Sequence, residues 1–518
     1  MKKERILTIL FFAFVAVILM LGLRGLPGNP TSEELNASKW TDDGPLELSP
    51  DRGRFALLYS ITEDRSLSFS LPIARFTTPD LGISPAGEYV SLFAPGVSFI
   101  AIPGYFLGKI FGVSQVGAFA VIALFALFNV ALIRAIAKLL GASVYAANVG
   151  AMAFLFGTPA FAYAATIYQH HISTFFILSS VFALLKWRGW WSIAYVWFAA
   201  ALSLSVDYPN LFLMFPVGLW ALSRIIWLRR SEQGLHINLS FKNILTFISV
   251  VLPMALFFWF NAASNGSPLQ LSGTLQRVEA IDKYGQPVQS QLAKTLGLAV
   301  PEPSRKKSAI GFFRTRNLLN GLYIHFLSPD RGIINFAPVM LFGILGFINI
   351  FRKYTAAGNV LLAVIGFDVL LYSMWGDPSG GWAFGSRYMI PAYAILGITT
   401  ALALTRFRKN YIFLAIFLVV FGYSAWVNAL GAITSNKMPP QHEILELEKI
   451  TSHQEKFTYE RDLDLLKANK SKSFVFQAVA RPYITAVQYH NFITAFIIAM
   501  AIWLVSSLAF FARTRGGI

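Results

Sequence analysis

An all-α bundle of membrane-crossing helices is the fold class this sequence predicts, and three observations predict it. Of 518 residues, 55% are hydrophobic and only 13% charged; a soluble protein of this size needs more charge to wet its surface. Apolar runs of roughly 20 residues, long enough to cross a hydrocarbon core as helix, recur along the chain. The basic residues behind the formal charge of +17 stand in short groups beside those runs. That is the pattern of helix ends facing a cytoplasm, not of a nucleic-acid surface, and no nucleic-acid partner is expected. The absence of cysteine excludes disulfides, thiolate catalysis and Cys-ligated metals.

The first run, Ile6 to Leu23, is long for a signal peptide and no A-x-A cleavage site follows it, so it reads as a retained first span. Further runs lie near 115–134, 144–165, 171–187, 190–206, 208–228, 243–263, 332–351, 357–375, 387–405, 410–433 and 491–511. One segment, FAPGVSFIAIPGYFLGKIFG at 93–112, carries Pro95, Pro103 and several glycines, which weaken a straight helix. Parity decides its role. With Lys2, Lys3 and Arg5 inside and 93–112 not crossing, the groups Arg134/Lys138, Lys186/Arg188, Arg229/Arg230, Arg352/Lys353, Arg406/Arg408/Lys409 and Arg513/Arg515 all fall inside. If the segment crosses, every one moves outside, against the positive-inside tendency. The expected topology is therefore about twelve spans in the cell membrane with both termini cytoplasmic. Segment 93–112 becomes an interfacial hairpin, a re-entrant or surface helix pair.

This topology divides the chain into a core over 1–433, an outer helical insert at 434–490, and a last span with its tail at 491–518. The core has long outer loops at 25–92 and 264–331. The second is basic around Arg305, Lys306, Lys307, Arg314 and Arg316, and the insert around Lys467, Lys470 and Lys472; long loops translocate largely regardless of charge. In 441–470 mixed charges accompany apolar residues at helical spacing. No internal repeat favours an inverted-repeat transporter.

Unusual residues collect on one side. The first loop holds Glu47, Asp51, Arg52, Arg54, Glu63, Asp64 and Arg65, with Asp80 beyond them; the short outer turns hold Tyr168-Gln169-His170-His171 and Asp207-Tyr208-Pro209. SPDRG at 328–332 and WGDPSGGWAFGSRY at 375–388 share that face, while the spans contain almost no acids. A proton- or ion-coupled transporter places carboxylates near the midplane, so the charge distribution favours an enzyme. Each group also has an ordinary reading. Asp51 is then a solvated acid or helix cap, the histidines interfacial hydrogen-bonders, Asp207 a turn residue and the glycines a tight turn. Arg387, opening an apolar helix, either snorkels to headgroups or binds an anion. No acid spacing points to a metal site.

Taken together, the acidic first loop, APGVSFIAIPGYFLG, YQHHIS, SPDRGIINFAPV and WGDPSGGWAFGSRY resemble the GT-C membrane glycosyltransferases. The nearest branch is that of prokaryotic protein mannosyltransferases and aminoarabinose transferases. The resemblance runs through nearly the whole chain in order and spacing. It implies a GT-C-like fold, a polyprenyl-phosphate-linked sugar as donor substrate, and transfer of a hexosyl or pentosyl group outside the membrane. The acceptor would be a glycan, lipid or protein, and no further cofactor is implied. Asp51 would be the base, with Asp80 and Glu63 behind it. Arg387, then Arg331, would hold the phosphate, with His170 or His171 as donors. Asp207 and Trp382 would complete the substrate site, and Gly380 and Gly381 would admit close backbone approach. The alternatives are a lipid-linked glycan ligase or polymerase, and a lipid-linked sugar flippase.

Overall fold

The computed structural model describes residues 2–231, 234–288 and 309–514; Arg305, Lys306, Lys307 and Arg515 lie outside them. Among the described residues seven helices are long and apolar enough to cross a membrane. Helix α1 (Lys2–Gly22) leads into the first loop, where α2 (Ser49–Tyr59) and α3 (Leu71–Thr77) precede the hairpin β1 (Leu81–Ile83) and β2 (Tyr89–Ser91). There follow α4 (Gly96–Ile110), α5 (Ser114–Leu139), α6 (Val144–Phe156), α7 (Ala160–Ala164), α8 (His170–Lys186) and α9 (Trp190–Val206).

The runs predicted at 144–165, 208–228 and 332–351 are each broken. Pro159 follows Gly157 between α6 and α7, because proline offers no N–H to an ongoing helix. The second run is split into α10 (Asn210–Leu213) and α11 (Phe215–Leu222), beside Pro209 and Pro216, and ends in the hairpin β3 (Ile226–Ser231) and β4 (Gly234–Leu239). The run at 243–263 stays one helical span, Phe241–Asn265, made of α12 (Phe241–Ile244), a 3-10 stretch and α13 (Val251–Asn265), after which β5 (Gln276–Val278) pairs with β1. That pairing ties loop 264–331 to the first loop, reinforced by Arg277 on Asp80 at 2.9 Å. Then come α14 (Leu318–Phe326), α15 (Ile333–Phe336), α16 (Phe342–Lys353), α17 (Thr355–Ser373), α18 (Ile390–Arg406) and α19 (Tyr411–Ile433). The insert carries α20 (Ile444–Thr451) and α21 (Glu460–Lys467), and α22 (Ala486–Thr514) closes the bundle.

Contacts at the helix ends define two faces. At one, Lys138 pairs with Glu4, Arg134 donates to Thr8, and the Ser143 amide bonds Thr405, so the ends of α1, α5, α6 and α18 gather there. At the other, the Arg24 amide donates to the Ala165 carbonyl and Leu26 lies beside Gln115. Segment 93–112 is one helix, not a helix pair: α4 continues through Pro103 because its glycines seat it against α5. A Cβ on Gly104 would stand 2.3 Å from the Gly117 carbonyl oxygen. The start of α4 rests on the C-terminal end of α9 at Ser205 and Val206, and its far end turns directly into α5.

Candidate active site

Helix α2 begins at Ser49-Pro50, with proline suited to a position whose N–H has no helical acceptor. Asp51 and Arg54, three residues apart, therefore share one helix face. Gly53 lets α2 meet the Phe93 ring, which a Cβ would strike at 2.4 Å. The same ring carries the Arg54 guanidinium at 4.7 Å.

Asp51 is wholly buried, and neither carboxylate oxygen accepts a hydrogen bond. Burial, with the nearby negative charge of Glu47, pushes its pKa up to about 8, against the pull of Arg24, Arg54 and Arg387. Tyr168, from the turn before α8, contacts two arginines with its ring: Arg54 at 5.4 Å and Arg387 at 5.1 Å from the centroid. His170 stacks on Tyr168 at 5.8 Å and meets Tyr388 edge-on at 6.2 Å. Behind Tyr388, Tyr372 stacks at 4.2 Å. Asp207, where α9 ends, accepts from Gln169 at 3.2 Å, and burial raises its pKa to about 6 despite Arg54. Buried polar atoms without partners concentrate here: both Asp51 oxygens, Arg54 Nε, Arg387 Nε and Nη1, Tyr168 Oη and His170 Nε2. Such atoms cost free energy unless a ligand or water takes them up.

The 376–386 loop is built to present Arg387. Asp377 accepts from the amides of Ser379 and Gly381, and Gly380 and Gly381 adopt φ values of 74° and 65° that disfavour side chains. Arg387 Nη2 donates to the Gly380 carbonyl at 2.6 Å. Arg331 supports the loop from below: it is fully buried and donates to the carbonyls of Ser379, Asp330, Gly381 and Met438. Its guanidinium is spent on backbone, so its place is structural.

The structure thus brings together Asp51, Arg387, His170 and Asp207, with Gly380 against Arg387. It does not bring the others into the cluster. Asp80 accepts from Ser49 at the start of α2 and pairs with Arg277. Glu63 lies at the opposite end of α2, bound to Lys109 and Tyr105. His171 faces the core, between Asn129 and the Ala160 carbonyl. Trp382 turns to the insert and donates to Glu443. Arg54, Tyr168 and Tyr388, which the sequence placed on the outer face without a role, join the cluster, as does Tyr372, which it did not mark; the three-residue spacing of Asp51 and Arg54 was the available signal. Asp368 is an acid buried within α17, and it accepts the Ala392 amide at 3.0 Å, capping the start of α18. Among the described residues no group of His, Asp and Glu is placed to hold a metal ion.

Below the cluster a second network fixes the frame. Glu47 accepts from Arg24 at 2.9 Å, Lys472 at 2.5 Å, Ser435 and the Asn436 amide at 2.6 Å. Burial alone would raise its pKa, but Lys472 and Arg24 overcome that and hold it near 2.

Among solved structures, the chain is similar to ArnT from Cupriavidus metallidurans in the apo state, at 12% identity over 97% of this chain and 76% of that one, with a TM-score of 0.48. The same protein bound to undecaprenyl phosphate gives 13% and 0.46 over the same shares. The archaeal oligosaccharyltransferase AglB from Archaeoglobus fulgidus, in complex with an inhibitory peptide and a dolichol-phosphate, gives 14% and 0.38 over 93% of this chain and 56% of that one. No family model and no curated protein matches the chain. At such identities and scores nothing is carried from these likenesses to the site.

Proposed function

We propose that this chain is a membrane glycosyltransferase of the GT-C kind, moving a sugar from a polyprenyl-phosphate carrier to an acceptor hydroxyl on the extracytoplasmic side. The carrying observation is the juxtaposition of an unpaired buried carboxylate, Asp51, with two buried arginines that each anchor one donor on backbone, at Pro50 and Gly380, and keep others unpartnered: Arg54 Nε, and Arg387 Nε and Nη1. A carboxylate with a pKa near 8 is a competent general base near neutral pH, because it binds a proton far more readily than an ordinary aspartate. Asp51 takes the proton of the acceptor hydroxyl, whose oxygen forms a bond to the anomeric carbon. The carbon–oxygen bond to the phosphate breaks, and the carrier leaves as polyprenyl phosphate. Its oxygens gain charge as that bond breaks, and guanidinium forks answer that charge better than ammonium groups. Both guanidinium groups lie against the Tyr168 ring, and Asp207 with its partner Gln169, beside Arg54, suits sugar hydroxyls. In the cell the face with Glu4, Lys138 and Thr405 would be cytoplasmic.

The test is transfer from a series of polyprenyl-phosphate sugars by the purified chain in lipid vesicles. Asp51→Asn abolishes transfer and leaves donor binding in place. Transfer of a whole lipid-linked glycan that survives Asp51→Asn but fails in Arg387→Ala would instead favour the ligase reading.

A further inference from the structure

The turn between α8 and α9 holds a second cleft, one helix length from the Asp51 cluster: α8 leaves the cluster at His170 and ends at Lys186 after 17 residues, about 25 Å. The cleft has a volume of about 950 Å³. One wall is a single face of α9, where Trp191, Tyr195 and Phe198 follow at helical spacing for about 10 Å. The other wall comes from the stretch before α13, where Ser249 donates to the Ala194 carbonyl at 2.8 Å and holds the two elements in register. Trp187 closes the end, packed edge-on against Tyr195 at 5.9 Å. Trp187 and Trp191 remain 45% and 66% exposed.

Lys186 and Arg188 stand at the mouth. Neither side chain makes an ion pair or hydrogen bond with any described residue, whereas neighbouring Arg224 is fastened to Ser192 and to the Leu184 carbonyl. Over residues 181–265 the described part of the chain offers one acid, Asp207, which sits at the other end of α9. Glu232 lies outside the described residues. Among the described residues no acid pairs with Lys186 or Arg188, so the mouth is cationic there, and the walls are apolar and aromatic. A soluble anion has no use for the long aromatic wall, and a neutral lipid has no use for the two cations. Charge at one end with a 10 Å apolar track leading from it matches a phospholipid with a net negative head.

We propose that this cleft is a binding site for an anionic glycerophospholipid, its phosphate between Lys186 and Arg188 and one acyl chain along Trp191, Tyr195 and Phe198. The site is separate from the Asp51 cluster and does not depend on what that cluster catalyses.

The test is native mass spectrometry of the full chain released from micelles holding equal amounts of phosphatidylglycerol and phosphatidylcholine. The wild type retains phosphatidylglycerol roughly tenfold over phosphatidylcholine, the order expected for a charge-assisted contact. Lys186→Gln with Arg188→Gln removes that preference, although the other basic helix ends are unchanged. Trp191→Ala, at an exposed position that does not threaten folding, lowers phosphatidylglycerol retention several-fold with both cations intact. Equal retention of the two lipids by the wild type would overturn the proposal. So would a preference that survives the double substitution, or, if that variant does not fold, one that survives both Arg188→Gln and Trp191→Ala.

Discussion

Asp51 has two carboxylate oxygens that accept no hydrogen bond and three arginines close enough to act on it electrostatically, yet its pKa lies near 8. Burial wins because water is excluded more completely than the arginines approach. If this group is the base, kcat/KM rises with pH, with a slope of about one, and levels above about 8, the free enzyme's pKa. Stability runs the other way. The folded chain holds the Asp51 proton at pH values where the unfolded chain, near 3.8, has lost it. Stability therefore falls as pH rises from about 4 to about 8 and is level beyond. Asp51→Asn removes that cost, so above pH 8 it should be more stable in detergent than the wild type by on the order of a few kcal/mol, read as a higher melting temperature. A variant inactive because it is unfolded would melt lower. Arg387→Lys and Arg54→Lys keep the charge and lose the fork, and each should weaken donor binding roughly tenfold by titration.

At the scale of elements, the Glu47 network joins three parts of the chain: Arg24 after α1, the loop before α2, and Ser435 with Lys472 in the insert. Removing the acid strands a buried arginine, so Glu47→Ala should cost roughly 3–5 kcal/mol, read as a lower melting temperature. The contribution of Glu47 is present above pH 4.5 and is lost as pH falls through about 2. The helix contacts are as exacting: a Cβ on Gly117 would stand 2.1 Å from the Gly104 carbonyl, so Gly117→Val should part α4 from α5 and destabilise the chain. Much of this level was legible in the sequence, because apolar runs are local. The breaks within runs followed Pro159, Pro209, Pro216 and Pro338, whose positions were visible but whose effect depends on what replaces the lost backbone bonds. The pairing of β1 with β5 joins residues nearly two hundred apart, and no local pattern announces it.

Across the whole molecule the Asp51 cluster and the α8–α9 cleft lie at opposite ends of α8. Residues 51, 170, 207 and 387 are far apart in sequence and adjacent in space because α2, α8, the end of α9 and the start of α18 converge. Sequence patterning put them on one side of a membrane. It ranked Arg387 before Arg331 and Asp51 before Asp80 and Glu63, but not on the physical difference between them. Arg387 keeps unpartnered donors while Arg331 gives its own to carbonyls, and Asp51 is unpaired while Glu63 and Asp80 are tethered. Those distinctions depend on where each side chain's partners lie, and only the folded chain supplies them. The same bundle leaves the α8–α9 turn cationic and aromatic, where an anionic lipid would hold the end away from the chemistry.

The most direct test of the central claim is sugar transfer from a polyprenyl-phosphate donor by wild type and Asp51→Asn, with donor binding measured on the same samples. The expected result is wild-type transfer, a loss of at least about a hundredfold in Asp51→Asn, and donor affinity within a few-fold of wild type. Transfer by Asp51→Asn at the wild-type rate, or a wild type that neither binds nor consumes any such donor, would contradict it.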